Sequence, residues 1–197
     1  LLCYYKTELT EGGLTYDTVS MSYSDDDGAT WAIGGRHLEG YRRDTSTYQV
    51  IRLSAVYQTG QVTLLVEGYD SGVHTVWHYV SGSGSIGSAF DLVDEGVTAR
   101  MWWSLFVDAS GTIGAVNSSN LSGTISARKK ATPRASLTGS VDAYTLVDPA
   151  GVDSGGTSTE WAHAICVDDE GYLWVYWREA TARRYSLRCA RVNAETM

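Results

Sequence analysis

The chain has 197 residues, with 15 Lys and Arg against 23 Asp and Glu, and a formal net charge of −8. This acidity argues against broad electrostatic binding to nucleic acid or to anionic membranes, because both carry negative charge themselves. With 43% hydrophobic and 11% aromatic residues, the chain is too apolar to be disordered, and no apolar run approaches the roughly 20 residues that span a bilayer.

Apolar residues alternate with polar ones, or form short runs between glycine-rich turns, along almost the whole chain. Alternation with a period of two predicts β-strands, since successive side chains of a strand point to opposite faces. In chain order, strands are predicted at residues 15–24, 31–33, 48–57, 62–69, 74–80, 89–93, 100–107, 112–117, 123–127, 144–147, 161–167, 172–178 and 185–192.

Three of the predicted hairpins have turns that end at Gly60, Gly111 and Gly171, which lie 51 and 60 residues apart. Each hairpin joins two hydrophobic strands, and weaker strands follow it. A repeat of about 50 residues with four strands is typical of a propeller blade. We therefore predict an all-β chain of about three and a half four-stranded propeller blades. A β-sandwich is the alternative, because it also has strands every 8 to 12 residues or so.

The repeat divides the chain into four parts. Residues 1–40 are predicted to hold the final strands of a first blade, residues 41–97 a second blade, residues 98–157 a third and residues 158–197 part of a fourth. Propellers close with about 4 to 8 blades, so that no sheet edge stays open. We therefore expect a larger ring, in which remaining blades or other copies of the protein cover the open faces.

The segment at residues 24–31, SDDDGATW, is the most specific motif of the chain. Asp26 can accept hydrogen bonds from backbone N–H groups across a turn, and Gly28 can adopt a positive φ without strain. The segment resembles the Asp box (BNR repeat) of sialidase-like β-propellers, with matches at Ser24, Asp26, Gly28, Thr30 and Trp31. The resemblance implies a propeller in which this turn joins the third and fourth strands of a blade, away from the active site.

The same resemblance implies candidate catalytic residues. Sialidases use arginines for the substrate carboxylate, a Tyr nucleophile paired with a Glu, and an Asp acid. Arg52 opens a run that is similar to the family's first arginine segment, although Ser54 replaces its Pro. Glu67 and Tyr69, on the following strand, match the Glu and the Tyr by residue type only. The candidate sialidase site is therefore incomplete in this sequence.

Metal and cofactor sites are not predicted. An EF-hand with Gly28 at loop position 6 would place Tyr23 at position 1 and Gly34 at position 12, where acidic ligands are needed. His74 and His78 are four residues apart on a predicted strand, or about 13 Å at ~3.3 Å per residue, which is too far to share a metal ion. His163 is expected to be buried with a hydrogen-bond partner.

Two further groups of residues are assigned by their pattern. Trp102, Trp103, Trp174 and Trp177 are candidates for stacking on a ligand such as a sugar ring, although packing between blades explains them as well. Because neighbours on a strand alternate, Trp102 and Trp103 must face opposite sides. Buried free thiols are expected at Cys3, Cys166 and Cys189, because each lies within an apolar strand pattern.

Blade repetition without a catalytic constellation favours a non-catalytic β-propeller module for binding or assembly. Such a module would belong to a larger extracellular or virion-type protein, for example a phage tail, fibre or adhesion component. The alternatives are a fragment of a sialidase-like glycoside hydrolase and a lectin-like carbohydrate binder. The expected partners are the remaining propeller blades or other protein copies, with a glycan as a further candidate. The basic segment at residues 128–134 is expected to be a solvated loop or a contact to an acidic copy, and not a nucleic-acid site.

Overall fold

A computed structural model describes residues 1–33, 48–70, 72–82, 90–97, 101–119, 125–130, 143–147, 163–181 and 184–195. Within these ranges there is no helix of the length and apolarity needed to cross a membrane. The strands form four antiparallel sheets, in each of which successive strands pair. The first sheet contains β1 (Leu2–Glu11), β2 (Leu14–Tyr23) and β3 (Ala32–Ile33), and the second contains β4 (Tyr48–Gln58), β5 (Gln61–Asp70), β6 (Val73–Ser81) and β7 (Phe90–Val97). The third sheet contains β8 (Met101–Val107), β9 (Ile113–Ser119), β10 (Ile125–Lys130) and β11 (Ala143–Val147). The fourth sheet contains β12 (His163–Val167), β13 (Tyr172–Thr181) and β14 (Arg184–Asn193).

The prediction of an all-β propeller is confirmed, and each of the thirteen predicted strands overlaps one of these strands. β1 is the strand that the sequence pattern did not predict. Its alternation is hard to recognise, because Tyr4 and Tyr5 are adjacent and Lys6 and Glu8 lie on the face that also carries Leu2.

A hydrophobic core lies between each pair of successive sheets. Because successive side chains of a strand point to opposite faces, the second sheet contributes apolar side chains to two cores. β5, for example, sends Leu64 and Val66 to the first core and Leu65 to the second. The first core contains Val19, Val50, Leu64, Val66, Trp77 and Tyr79; the second contains Leu65, Val76, Trp103, Leu105, Ile113 and Ala115; the third contains Phe106, Val116, Ile125, Ala127, Leu173, Val175 and Ala194.

β4, β8 and β12, here called the inner strands, are the edge strands of their sheets and contact one another in turn. The backbone N–H of Leu105 donates to Ser54 Oγ at 2.8 Å. Farther along, the side chain of Gln58 at the end of β4 lies beside Gly111 in the turn that follows β8. The inner strands β4 and β8 therefore run in the same direction. Their hairpin turns lie together at what we call the hairpin end of the sheets.

The edge strand of the first sheet, β1, differs in direction from the inner strands. Asp17 Oδ2 accepts the backbone N–H of Val50 at 2.9 Å, which places the start of β2 beside the start of β4. Leu1 and Leu2 line a pocket together with Ala55 and Tyr57, so β1 starts beside the end of β4. β1 therefore runs in the direction opposite to β4, and β2 runs in the same direction as β4. These are the directions of a second and a third strand in a meander. The blade boundaries at residues 40, 97 and 157 stay predictions.

The three cysteines are exposed and free, so the prediction of buried thiols is wrong. All three lie on the two outermost sheets. On β12, alternation turns Ile165 and Val167 toward the third core, and it therefore turns Cys166 to the face that points away from the third sheet. An apolar strand pattern does not distinguish an inward cysteine from an outward one.

Candidate functional site

The turn at residues 24–31 joins β2 to β3 at the hairpin end and is held by its own side chains. Asp26 Oδ1 accepts the backbone N–H of Thr30 at 2.8 Å, and its Oδ2 accepts the Thr30 hydroxyl at 2.6 Å. The backbone N–H of Gly28, at a φ of 92°, donates to Ser24 Oγ, and the ring N–H of Trp31 donates to the carbonyl of Gly28. The bonds from Thr30, with a further one from Ser24, lower the pKa of Asp26 to about 2.

Two other aspartates close hairpin turns in a similar way. Asp108 Oδ1 accepts the backbone N–H of Thr112 at 2.7 Å, and Asp168 Oδ1 accepts that of Tyr172 at 2.8 Å. Asp168 Oδ2 also accepts the ring N–H of Trp174 at 2.7 Å, and this bond is the main cause of the lowered pKa of Asp168. These hydrogen bonds span six residues at most, so each of these turns is closed largely by side chains of its own segment.

The start of the inner strands carries a different arrangement, which we call the axial cluster: Arg52, Glu67, His74, Trp102 and His163. Its centre is Glu67 on β5, whose side chain is only 2% exposed. Glu67 Oε1 accepts from Arg52 Nη1 at 3.0 Å and lies 3.1 Å from His74 Nε2. A buried carboxylate needs such partners, because burial without them would be costly.

Arg52 links two sheets. Its guanidinium carbon lies 3.3 Å from the centroid of the Trp102 ring on β8, which is a cation–π contact. The Arg52 side chain is 27% exposed, so its partners do not enclose it completely. Tyr69 is near this group, because its ring meets the His74 ring edge to face at 5.2 Å. The cluster thus offers a partly exposed cationic side chain, an aromatic ring and a buried acceptor in one place.

Two buried polar atoms of the axial cluster have no hydrogen-bond partner among the described residues: Glu67 Oε2 and His163 Nε2. His163 is buried, as predicted, and its Nδ1 lies 3.1 Å from Ser118 Oγ. Burial lowers the pKa of His163 to about 4, and the charge of Arg52 acts in the same direction. The imidazole is therefore neutral at physiological pH, and it brings β12 into the cluster.

The four candidate stacking tryptophans are found in different places. Trp102 belongs to the axial cluster, whereas Trp103 is buried in the second core and Trp177 packs against the third. Trp174 lies toward the hairpin end, bonded to Asp168 and stacked on Tyr176 at a centroid distance of 6.3 Å. The structure therefore brings together Arg52, Glu67 and Trp102, with Tyr69 adjacent.

Sequence reasoning did not connect His74 and His163 with this group. Counting outward from the two-residue turn Thr59-Gly60 pairs Arg52 with Glu67, which is the register observed. That count was available from the sequence. The approach of Trp102 and His163 to Arg52 could not be predicted from the sequence, because it depends on how separate sheets pack.

Metal binding has no obvious place in this arrangement. In the part of the chain that the structure describes, there is no group of three or more His, Cys, Asp or Glu side chains arranged to hold a metal ion. The basic segment at residues 128–134, predicted to be a solvated loop or a contact, lies outside the described residues apart from the backbone of residues 128–130, which belongs to β10.

No protein-family model matches the chain, and no curated protein matches it either. Solved structures do resemble it. An endo-arabinase from Bacteroides thetaiotaomicron VPI-5482 matches with a TM-score of 0.60 at 17% identity, over 98% of this chain and 76% of that one. A GH43 β-1,3-galactosidase matches with a TM-score of 0.61 at 15% identity, over 98% of this chain and 41% of that one. An α-L-arabinanase from Penicillium chrysogenum, solved with arabinobiose, gives 0.52 at 14% identity, over 98% and 71%.

These neighbours are β-propeller glycoside hydrolases, and the likeness shows that the chain has a β-propeller fold. The chain spans less than half of the galactosidase. These neighbours do not confirm a sialidase-like relationship, so the Asp-box assignment rests on the turn at residues 24–31.

Proposed function

We propose that the chain is a non-catalytic β-propeller module that binds a neutral glycan at the axial cluster. The observation that carries this proposal is the position of Arg52, which Glu67 and Trp102 hold at the start of the inner strands with its side chain 27% exposed. Sugar sites combine an aromatic surface with a few fixed hydrogen-bonding groups. The likeness to carbohydrate-active propellers supports the same ligand class.

A neutral ligand fits the charges of the cluster. The guanidinium of Arg52 already has a carboxylate partner at 3.0 Å, so its charge is offset before any ligand arrives. The remaining N–H groups of Arg52 are donors suited to sugar hydroxyl or ring oxygens. An acidic sugar would have to compete with Glu67 for the same cation.

The proposal that the module is non-catalytic rests on the contacts of Glu67. Most glycoside hydrolases need two carboxyl groups, about 5–5.5 Å apart in retaining enzymes and 6.5–9.5 Å apart in inverting ones. Glu67 is instead buried and fixed by Arg52 and His74 through a single oxygen. A carboxylate held in this way supports the position of Arg52 and is poorly placed to exchange a proton with a substrate.

A glycoside hydrolase fragment, sialidase-like or of another type, is the second candidate. The observation in its favour is the fold, which the chain shares with arabinanases and a galactosidase. Arg52, Glu67 and Tyr69 are then the candidate catalytic residues. An extracellular or virion-type location, and assembly with further blades or copies, stay proposals.

One set of variants distinguishes a glycan-binding module from a glycoside hydrolase. We expect the chain to bind neutral glycans such as arabinan or galactan oligosaccharides on an array, and Arg52→Ala and Trp102→Ala to weaken binding by about tenfold or more, as for the loss of a good polar or stacking contact. Arg191→Ala and Trp174→Ala, at the hairpin end, are matched controls that leave binding unchanged. Circular dichroism confirms that each variant is folded.

The same proteins are assayed with fluorogenic sialosides, arabinosides and galactosides. Turnover that disappears in Arg52→Ala but persists in Arg191→Ala would establish the hydrolase and defeat the non-catalytic proposal. Binding only to sialylated or uronate-containing glycans would contradict the assignment of a neutral ligand.

A further inference from the structure

β4 is irregular at the point where it supplies Arg52 to the axial cluster. Its register with β5 shifts between Val50 and Arg52, so Ile51 is the extra residue of a β-bulge. Val50 and Arg52 are two positions apart and would share a face of a regular strand. With the bulge between them, Val50 enters the first core while Arg52 points to the opposite face, toward Trp102 on β8.

The bulge also brings the backbones of β4 and β5 very close together. Gly68 lies opposite Val50, and a Cβ atom added to Gly68 would lie 2.1 Å from the carbonyl oxygen of Gln49. Any larger residue at this position would have to push β4 away from β5. The sequence therefore provides a glycine where the bulge needs one, directly after Glu67, which binds the Arg52 guanidinium.

Asp17 on β2 contacts this bulge from the first sheet. Its side chain is only 3% exposed, and its Oδ2 accepts the backbone N–H of Val50 at 2.9 Å. A bulge interrupts the ladder of its strand, so a buried N–H group at such a place needs another acceptor. Asp17 provides that acceptor, and the ammonium group of Lys6, 2.7 Å from the same oxygen, offsets the buried charge.

We propose that Asp17 is a positioning residue for the axial cluster, which holds the bulge at Val50 and thereby keeps the Arg52 guanidinium over the Trp102 ring. This role rests on the proposed function, in which Arg52 contacts the ligand. Asp17 acts through the backbone of β4 and not on the ligand itself. It connects the first sheet to a cluster whose members lie on the second, third and fourth sheets.

A small movement of the bulge is sufficient to disturb the contacts of Arg52. Its guanidinium carbon is 3.3 Å from the Trp102 centroid, and its Nη1 is 3.0 Å from Glu67 Oε1, so both contacts restrict the same side chain. Hydrogen bonds weaken steeply with poor geometry, and a cation–π contact needs the cation over the ring face. Without its acceptor, the Val50 N–H either stays unsatisfied or turns toward another acceptor and moves the bulge.

Nuclear magnetic resonance of the 197-residue chain tests the position of Arg52 without any ligand. The guanidinium protons of Arg52 lie over an aromatic ring and should resonate upfield of their usual position, a shift that Trp102→Leu removes. In Asp17→Ala we expect this shift to be lost and the Val50 amide to exchange with solvent about tenfold faster or more. The matched control is Asp108→Ala, since Asp108 is also a buried aspartate that accepts a backbone N–H, and it should leave both signals unchanged.

Glycan binding provides the second measurement. Asp17→Ala should weaken binding of arabinan or galactan oligosaccharides by about tenfold, the loss expected for a misplaced polar contact, whereas Asp108→Ala should bind as the wild type does. Asp17→Asn retains an oxygen that can accept the Val50 N–H, so it should keep both the upfield shift and the affinity. If Asp17→Ala does not fold, Asp17→Glu replaces it, because the longer side chain keeps the charge but displaces the carboxylate, and it should move the Arg52 signal.

An unchanged Arg52 signal in folded Asp17→Ala, or in Asp17→Glu if only that variant folds, would overturn the proposal. Loss of the upfield shift in Asp17→Asn, or an equal loss in Asp108→Ala, would overturn it as well. Absence of glycan binding in the wild type would instead defeat the proposed function, while the Arg52 signal would still decide whether Asp17 positions that side chain.

Discussion

The two ends of the inner strands use charged residues in different ways. At the hairpin end, Asp26, Asp108 and Asp168 each accept a backbone N–H from a residue four positions along the same turn. At the other end, Arg52, Glu67, Trp102 and His163 come from three sheets and meet only when those sheets pack. The first kind of contact shapes the chain locally. The second kind depends on the assembled fold, and it is therefore where substitutions should have global effects.

The largest difference is expected for Glu67→Leu. Removing the carboxylate leaves the partly buried Arg52 without its partner, and breaking a buried ion pair costs about 3–5 kcal/mol. The free energy of unfolding, measured by urea denaturation, should fall by that amount. Glu170→Leu is the matched control, since Glu170 is 69% exposed in its ion pair with Arg191, and exposed pairs contribute about 0–1 kcal/mol.

A double variant sharpens this result. Arg52→Met combined with Glu67→Leu replaces both charges by apolar groups, and we expect it to recover a large part of the lost stability, because no unpaired charge remains. If the double variant is as unstable as the sum of the two single variants, the stability of this region does not depend on the ion pair.

An intermediate effect is expected from the titration of His163. Its pKa is about 4 in the folded chain and near 6.5 when unfolded, so the unfolded chain binds more protons between these pH values. The free energy of unfolding should therefore fall as the pH is lowered from about 6.5 to 4, by on the order of 3 kcal/mol. His163→Asn should flatten this dependence in urea titrations at several pH values. An unchanged slope would show that His163 is accessible to protons in the folded chain.

The smallest effect is expected at the hairpin end, from Asp26. Because the folded pKa of Asp26 is lowered to about 2, its stabilising contribution is complete above the unfolded pKa near 3.9. It is lost as the pH falls from there toward 2. Thermal unfolding between pH 5 and 2 should show less acid destabilisation in Asp26→Asn than in the wild type. Asp25→Asn, which removes the same charge from an exposed position of the same turn, is the control.

The sequence was most informative where contacts are local. The turn at residues 24–31 has the bonds that its residue types imply, and the hairpin at Gly60 sets the pairing of Arg52 with Glu67. The sequence pattern did not indicate how one sheet packs on another. The contact of Arg52 with Trp102 joins residues 50 positions apart across two sheets, and alternation alone does not determine whether Cys166 faces inward.

The exposed thiols are convenient handles for spectroscopy. Cys3 lies on the first sheet, and Cys166 and Cys189 lie on the last, so the native sequence carries labelling sites at both extremes of the row of sheets. A donor dye on Cys3 and an acceptor on Cys189, with Cys166 replaced by Ser, would form a molecular ruler. Its reading would report the separation of the two outer sheets, and any change in that separation when a ligand binds, without adding a cysteine to the chain.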